Sequence, residues 1–328
     1  MERTGICVAG SLIADRFYQI DHYPQEGFLS TVRGSETHVG GSGNLILDLA
    51  KLDGDLAVKV CAVVGKDESG EALLCALGRY PNVDTADIVS EGESSATLVM
   101  NARDTKQRTF FFIPGASDVF DESCIPWSSI TSRIFHLEYL LLMSRVDSED
   151  AEYGTHGARI LKHAREKGMI TSIDMVSEQS ERVRRIVRPA LKFTDICCIN
   201  EEETYAITGI RAVSPETAQQ ALRELCRLGV SKWAVIHSPQ HNYGYDANCD
   251  KMVCVDSLKL PDGFIKGTTG AGDAFCSGIL YGAHAGEDLE SAMRLAVGCA
   301  ACSLSQSNGT DGMRSKGEVL ALLEQYGE

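Results

Sequence analysis

Gly267-Thr268-Thr269-Gly270-Ala271-Gly272-Asp273-Ala274-Phe275 carries the densest chemical signal in the chain. Glycines ahead of a helix let the backbone turn sharply and aim several N–H groups at one point. Those donors, backed by the positive end of the helix dipole, make an anion site. An aspartate is out of place in a plain anion site, because its charge repels a phosphate. It belongs there if it takes the proton from a hydroxyl beside the phosphate under attack. The alternative is a glycine-rich turn in which Asp273 only begins a helix. Gly40-Gly41-Ser42-Gly43-Asn44 opens a second helix, where bare backbone admits a polar ligand and Asn44 offers both donor and acceptor. An ordinary helix cap with a flexible entry has the same pattern. Asn200 and Glu203 stand three apart at a further helix start. They are placed either to hold water ligands of Mg²⁺ or, with Glu201 and Glu202, to complement the helix dipole. Asp15 follows the first strand, where a parallel sheet lines its ligand crevice; a solvated loop acid would look alike.

Competing motifs fail on spacing. Gly65-Lys66 is followed by Asp67 and has no upstream glycine for a P-loop. The dinucleotide fingerprint breaks at Phe275 and sits far from the first βαβ unit. The eight histidines form no H-E-x-x-H, and no G-x-S-x-G of a serine hydrolase occurs. Cys299 and Cys302 form a C-x-x-C inside an alanine-rich helical pattern with no second pair, which reads as packing. The Asn308-Gly309-Thr310 sequon would go unused in a cytosolic chain.

The elements that must carry these residues alternate from end to end. Strands are expected at Ile6–Gly10, Val58–Val64, Arg133–Leu137, Ile170–Asp174, Asp195–Ile199 and Trp233–His237, mostly as non-alternating apolar runs covered on both faces. Helical patterns fill the gaps at Asn44–Leu52, Glu149–Lys167, Glu181–Leu191 and Pro215–Leu228. Ala274–His284 and Asp288–Leu304 are rich in small residues and apolar all round, as buried helices are. Segments 15–38 and 95–113 break the rhythm: both are strand-like, and Arg103-Asp104-Thr105-Lys106 is a hairpin turn between Ser95–Asn101 and Gln107–Ile113. Paired, they would make a small sheet attached to one α/β body.

The charge balance of 31 basic and 46 acidic residues, net −15, argues against a nucleic-acid groove or an anionic membrane surface. No apolar run approaches the ~20 residues of a membrane span, and Met1-Glu2-Arg3-Thr4-Gly5 lacks the layout of a signal peptide. The twelve cysteines read as reduced, buried thiols of a cytoplasmic protein.

In this order the motifs resemble the ribokinase-type, or PfkB, carbohydrate kinases over nearly the whole chain: Asp15, the cluster Gly40, Gly41, Gly43 and Asn44, the N-x-x-E of Asn200 and Glu203, and T-G-A-G-D at Thr269–Asp273. The resemblance implies a three-layer ribokinase-like α/β domain over 1–328, with a mostly parallel central sheet between helices and a small β-sheet lid formed by 15–38 and 95–113. It implies ATP-dependent phosphorylation of a sugar hydroxyl, with Asp273 as general base and Gly270, Ala271 and Gly272 steadying the transferring phosphoryl group. Asp15, Gly40, Gly41, Gly43, Asn44 and Arg108 would contact the acceptor. Asn200, His237, Ser238, Thr268, Gly270 and Gly272 would contact the nucleotide, and Asn200 and Glu203 would organise Mg²⁺ through water. The partners implied are a small sugar and a nucleotide, with a homodimer through the lid as a further possibility.

Three departures from the family pattern stand out. Gly267, after Lys266, replaces an aspartate that helps bind a monovalent cation in relatives, which leaves potassium activation open. The adenine-side loop Val235–Asn242 lacks the family's two glycines. Glu178 stands where sugar-kinase relatives often carry a cation, which points to an uncharged acceptor, although Arg103 and Arg108 pull the other way. Arg108-Thr109-Phe110-Phe111 resembles fructokinase-like members. Nucleoside kinases of the same fold, with Phe110, Phe111 or Phe112 stacking on a base, and a ligand-binding or regulatory homologue of weak activity are the alternatives.

Overall fold

A computed structural model describes residues 3–105, 107–178 and 180–327; Met1, Glu2, Lys106, Gln179 and Glu328 lie outside the described residues. The elements run β1 (Ile6–Ile20), β2 (Val32–Gly41), α1 (Ser42–Leu52), β3 (Val58–Val64), α2 (Glu68–Leu77), β4 (Val83–Asp84), β5 (Val89–Ser90), β6 (Ser95–Ala102), β7 (Arg108–Ile113) and β8 (Ile134–Leu140). Then come α3 (Ser144–Asp147), β9 (Glu149–Asp150), β10 (Gly154–Thr155), α4 (His156–Glu166), β11 (Ile170–Met175), α5 (Arg182–Leu191), β12 (Ile196–Asn200) and α6 (Glu201–Thr208). The chain closes with α7 (Pro215–Leu228), β13 (Trp233–His237), β14 (His241–Asp246), β15 (Lys251–Asp256), α8 (Ala271–Ala285), α9 (Leu289–Leu304) and α10 (Lys316–Tyr326).

The main sheet has the order β15-β14-β13-β12-β11-β8-β1-β3-β4. Its pairs are parallel from β4 to β13, and β14 and β15 add an antiparallel edge. Alternate residues of each strand face opposite ways. Ile6 and Val8 pack with Leu45, Leu49, Ile279 and Met293 on the α1/α8/α9 face. Cys7 and Ala9 pack with Ile160, Leu161, Ile186 and Leu222 on the α4/α5/α7 face. Covering both faces explains the unbroken apolar runs. All twelve cysteines are free thiols, and Cys299 and Cys302 are buried beside Leu52, Ala274 and Val319.

The expected elements differ in extent at several places. β1 does not stop at Gly10: it runs through two sheets, pairing with β3 and β8 over its first half and with β2 and β6 from Leu12 onward. β8 continues three residues beyond Leu137. The helix expected from Glu149 starts at His156, capped by Thr155. Before it, Asp150 Oδ1 accepts the N–H groups of Glu152 and Tyr153 and folds 149–155 into a two-stranded turn. α1 begins at Ser42, two residues earlier than its apolar pattern.

The two irregular segments do meet in one small sheet of order β2-β1-β6-β7, joined by the parallel pairing of β1 with β6 and the antiparallel pairing of β6 with β7. Residues 21–31 carry neither helix nor strand. Lys106 of the expected hairpin turn lies outside the described residues.

Candidate active site

α8 begins where the chain can turn only through glycine. Gly270 has φ 78°, and a Cβ there would collide with the Gly309 carbonyl oxygen. The segment 308–310 that leans on it is itself tied down, since Asn308 Oδ1 accepts from Asp311 N (2.9 Å) and Lys51 Nζ donates to the Thr310 carbonyl (2.6 Å). The sequon is thus a buried turn. The first turn of a 15-residue helix leaves N–H groups without partners inside the helix. Ala271 and Gly272 line a cavity of about 1170 Å³.

Asp273, one residue further on, is buried (8% exposed) and faces the other way. Asn44 Nδ2 donates to its Oδ2 at 3.0 Å, and the Tyr139 hydroxyl donates to its Oδ1. Burial, followed by the nearby Glu138 carboxylate, pushes its pKa up to about 7, against the pull of those two donors. A carboxylate of that pKa can accept a proton near neutrality and still be ionised before it does.

Asp15 sits where β1 has passed into the small sheet, opposite His38. Burial raises its carboxyl to about 6, while a hydrogen bond from Thr97 holds it down. Position 40 must be glycine because a Cβ would overlap this carboxylate. Gly41 ends β2, and Gly43 in α1 lies against Val39, so the short turn delivers Asn44 directly to Asp273. Asp15 also acts electrostatically on Asp273. The structure therefore joins three expected residues, Asp15, Asn44 and Asp273.

The cavity on the other side of the glycines is lined by Asn200, His237, Ser238, Thr268, Ala271 and Gly272, with Leu258, Phe275 and Val297 among its apolar walls. Gly270 is the cap residue just behind them. Burial lowers the His237 imidazole to about 4, so it is neutral. Without glycines, the loop after β13 is closed by side chains: Asn242 Oδ1 accepts from Ser238 N (3.1 Å) and Ser238 Oγ donates to the His241 carbonyl (2.8 Å).

Asn200 and Glu203 are a capping box of α6. Asn200 Oδ1 accepts from Glu203 N, and Glu203 Oε2 accepts from Asn200 N, both at 2.9 Å. Ser177 closes the ring by donating to Glu203 Oε1 (2.7 Å) and accepting from Asn200 Nδ2 (2.9 Å). Burial lifts Glu203 to about 7, and its charge acts on Asp174. The pair caps the helix, with Asn200 lining the cavity and Glu203 buried behind it. That donor set fits Mg²⁺, which takes one or two carboxylates and keeps several waters.

Arg108 reaches the turn that precedes α8. From β7 its guanidinium donates to Thr269 Oγ1, and its Nη2 lies 3.1 Å from the point a Cβ on Gly267 would occupy. A half-buried cation thus faces the loop at Gly267. Glu178 is held by Arg182 (2.6 Å) at the rim of the same cavity.

Glu138 and Tyr139 were invisible to motif reading. They sit at the extended end of β8, past the expected strand boundary, and no spacing rule marks them. Glu138 is fully buried, its Oε2 3.0 Å from His136 Nε2, with His136 Nδ1 3.0 Å from Ser172 Oγ. Carboxylate oxygens of Glu138, Asp174 and Asp273 all lie within 4.8 Å of one another.

A long, mostly parallel sheet between helices with a small sheet at one end is the fold of ribokinase-type phosphotransferases. The pfkB family carbohydrate kinase model matches residues 3–316, and the chain belongs to that family. It is 22% identical over 318 residues to the bifunctional protein HldE of Bradyrhizobium diazoefficiens, covering 93% of this chain but 60% of that protein. It is 23% identical to the ribokinase of Arabidopsis thaliana, covering 97% of this chain and 81% of that one. The solved structure of Arabidopsis thaliana ribokinase complexed with ribose and ATP superimposes with a TM-score of 0.80 at 20% identity, covering 99% of both chains. Among the described residues no helix is long and apolar enough to cross a membrane.

Proposed function

We propose that this protein transfers the γ-phosphoryl group of ATP to a hydroxyl of a small sugar, in the manner of a fructokinase or ribokinase. The observation that carries the reading is Asp273: a buried carboxylate of pKa about 7, aligned by Asn44 and Tyr139, at the N-terminus of α8 between an acceptor cluster and a large cavity. The complexes of similar proteins with ribose and ATP, or with ADP, support the pairing of ligands.

The acceptor hydroxyl gives its proton to Asp273 as its oxygen bonds to the γ-phosphorus. The bond from γ-phosphorus to the bridging oxygen breaks, and its electron pair leaves with ADP. General-base assistance of this kind contributes about 10²–10⁴ in rate. Backbone N–H groups of Gly270, Ala271 and Gly272 steady the charge spread over the transferring group. Thr268, Asn200, His237 and Ser238 line the nucleotide's side. Arg108, anchored on Thr269, adds a fixed positive charge where the small sheet meets the anion turn. Mg²⁺, held through water by Glu203 and Asn200, would neutralise nucleotide phosphate charge. Asp15, Gly40, Gly41, Gly43 and Asn44 clasp the acceptor, and the small sheet covers it as a lid that keeps water from the γ-phosphate. Self-association through that lid would use its exposed Phe110 and Ile113.

The test is ADP release from a panel of sugars and nucleosides with ATP or GTP, with Mg²⁺ and with or without K⁺. Mg²⁺-dependent ADP release with at least one small sugar is expected. Turnover of nucleosides alone would move the protein to the nucleoside kinases. Tight sugar binding without ADP release would make it a binding homologue.

A further inference from the structure

A polar ladder interrupts the α1/α8/α9 face of the main sheet, below the site. His136 and Glu138 stand two apart on β8, so both side chains face one way. In the parallel register His136 lies beside Val8 of β1 and opposite Ser172 of β11. His136, Glu138 and Ser172 are all fully buried, on a face otherwise filled by Ile6, Val8, Ile134 and Cys198. Both ring nitrogens of His136 are committed: Nε2 donates to Glu138 Oε2, and Nδ1 is joined to Ser172 Oγ, each at 3.0 Å. The imidazole is thus pinned across two strands, and one oxygen of Glu138 is pinned with it. The other oxygen, Oε1, is buried and has no partner among the described residues.

A buried ion pair of this kind is no more stabilising than apolar side chains of similar volume, and the orphaned Oε1 costs further free energy until a donor meets it. The same carboxyl group has an oxygen within 4.8 Å of Asp174 and Asp273. Sugar hydroxyls are donors, and a hydroxyl on a carboxylate makes a short, strong hydrogen bond. A carboxylate free to turn about its last side-chain bond offers either oxygen in a range of directions; one held by His136 offers Oε1 in a single direction.

We propose that His136 is a positioning residue for the acceptor: it holds Glu138 so that Oε1 receives a sugar hydroxyl beside the one facing Asp273. This rests on the kinase reading. His136 is enclosed by the sheet and does not line the large cavity, so it acts through Glu138 alone. Its loss weakens the hold on the acceptor and spares the nucleotide.

The experiment uses whichever of D-ribose, D-fructose and D-glucose the wild type turns over fastest, or binds most tightly if it turns over none. Sugar affinity is read by calorimetry on the full chain, and KM for sugar and ATP by ADP release. His136→Leu removes the donor and should raise the sugar Kd and KM about tenfold or more, with KM for ATP within about twofold. His136→Gln, whose amide N–H takes the place of Nε2–H, should stay within about threefold of wild type, and Ser172→Ala should fall between the two. In a Glu138→Gln background His136→Leu should add less than twofold, because both changes act on one hydrogen bond. Circular dichroism verifies folding; His136→Asn, too short to reach Oε2, replaces His136→Leu if that variant does not fold. Equal losses for sugar and ATP, or a lowered melting temperature with the sugar KM unmoved, would make His136 purely structural and overturn the proposal while the kinase reading stands. A full additional loss in the Glu138→Gln background would overturn it as well. The same order of variants in sugar binding without any ADP release would support the role of His136 and remove the kinase reading. A wild type that binds none of the three sugars would overturn both.

Discussion

Asp273→Asn tests the proposed proton-transfer role apart from everything else the residue does. The amide keeps the shape of the carboxylate, so the N-terminus of α8 and the turn at Gly270 are undisturbed. It can accept one hydrogen bond where the carboxylate accepted two, from Asn44 Nδ2 and the Tyr139 hydroxyl. Losing one such bond costs about 0.5–1.5 kcal/mol, offset by removal of a charge that Glu138 and burial both oppose. The melting temperature should therefore move by only a few degrees, and ATP binding by calorimetry should stay within about threefold. Catalysis has no such compensation. Loss of a general base worth about 10²–10⁴ corresponds to about 2.7–5.4 kcal/mol of barrier. The pH profile supplies the sharper signature. With the ionised form as the proposed base, wild-type kcat/KM should hold above about pH 7 and fall tenfold per unit as pH drops through the Asp273 pKa. The variant should be flat through that region. ADP release followed from pH 5.5 to 9 reads both quantities. A variant within tenfold of wild type, or one that keeps the acid limb at the same midpoint, would remove Asp273 as the base.

Tyr139→Phe deletes a donor that holds the Asp273 pKa down; the acid limb of kcat/KM should move upward from about 7 by about one unit, the equivalent of a 1.4 kcal/mol bond, and an unmoved limb would deny Tyr139 that role. Asp48 of α1 is fully buried with neither carboxylate oxygen partnered, and burial raises its pKa well above the usual range. Its cost is absent while the group is protonated in both folded and unfolded chains, and grows as pH rises above the unfolded carboxyl's value of about 4. Asp48→Asn should therefore gain in thermal stability relative to wild type between pH 4 and pH 8, by differential scanning fluorimetry; a constant difference would show that Asp48 carries no proton linkage.

What the chain disclosed before folding depended on whether a residue's neighbours in sequence are its neighbours in space. Asp273 and the glycines before it form their turn locally, as do Asn200 and Glu203, and both stood out. Unbroken apolar runs placed the main sheet for the same reason. Glu138, Tyr139 and Asp174 reach the site from β8 and β11, whose apolar composition resembles that of any buried strand; only the pairing of those strands in the sheet makes them a cluster. Arg108 was visible, but its destination depended on how β7 docks. β1 was cut short because the reading ended a strand at Gly10, whereas the close approach of Glu138 there demands a glycine within the strand.

That unbroken β1 has a mechanical consequence. Its first half is clamped between β3 and β8, and its second half is a member of the small sheet. Asp15 lies just beyond the crossing, on the small-sheet side. Any tilt of that sheet is therefore a bend in one continuous strand near Leu12 and Ile13, and Asp15 travels along the arc. On the proposed function, acceptor capture and closure would share a single lever: what grips Asp15 would pull the cover, and what holds the cover would present the grip. Affinity for the acceptor would then be tuned by the stiffness of one stretch of backbone as much as by the groups that touch the sugar.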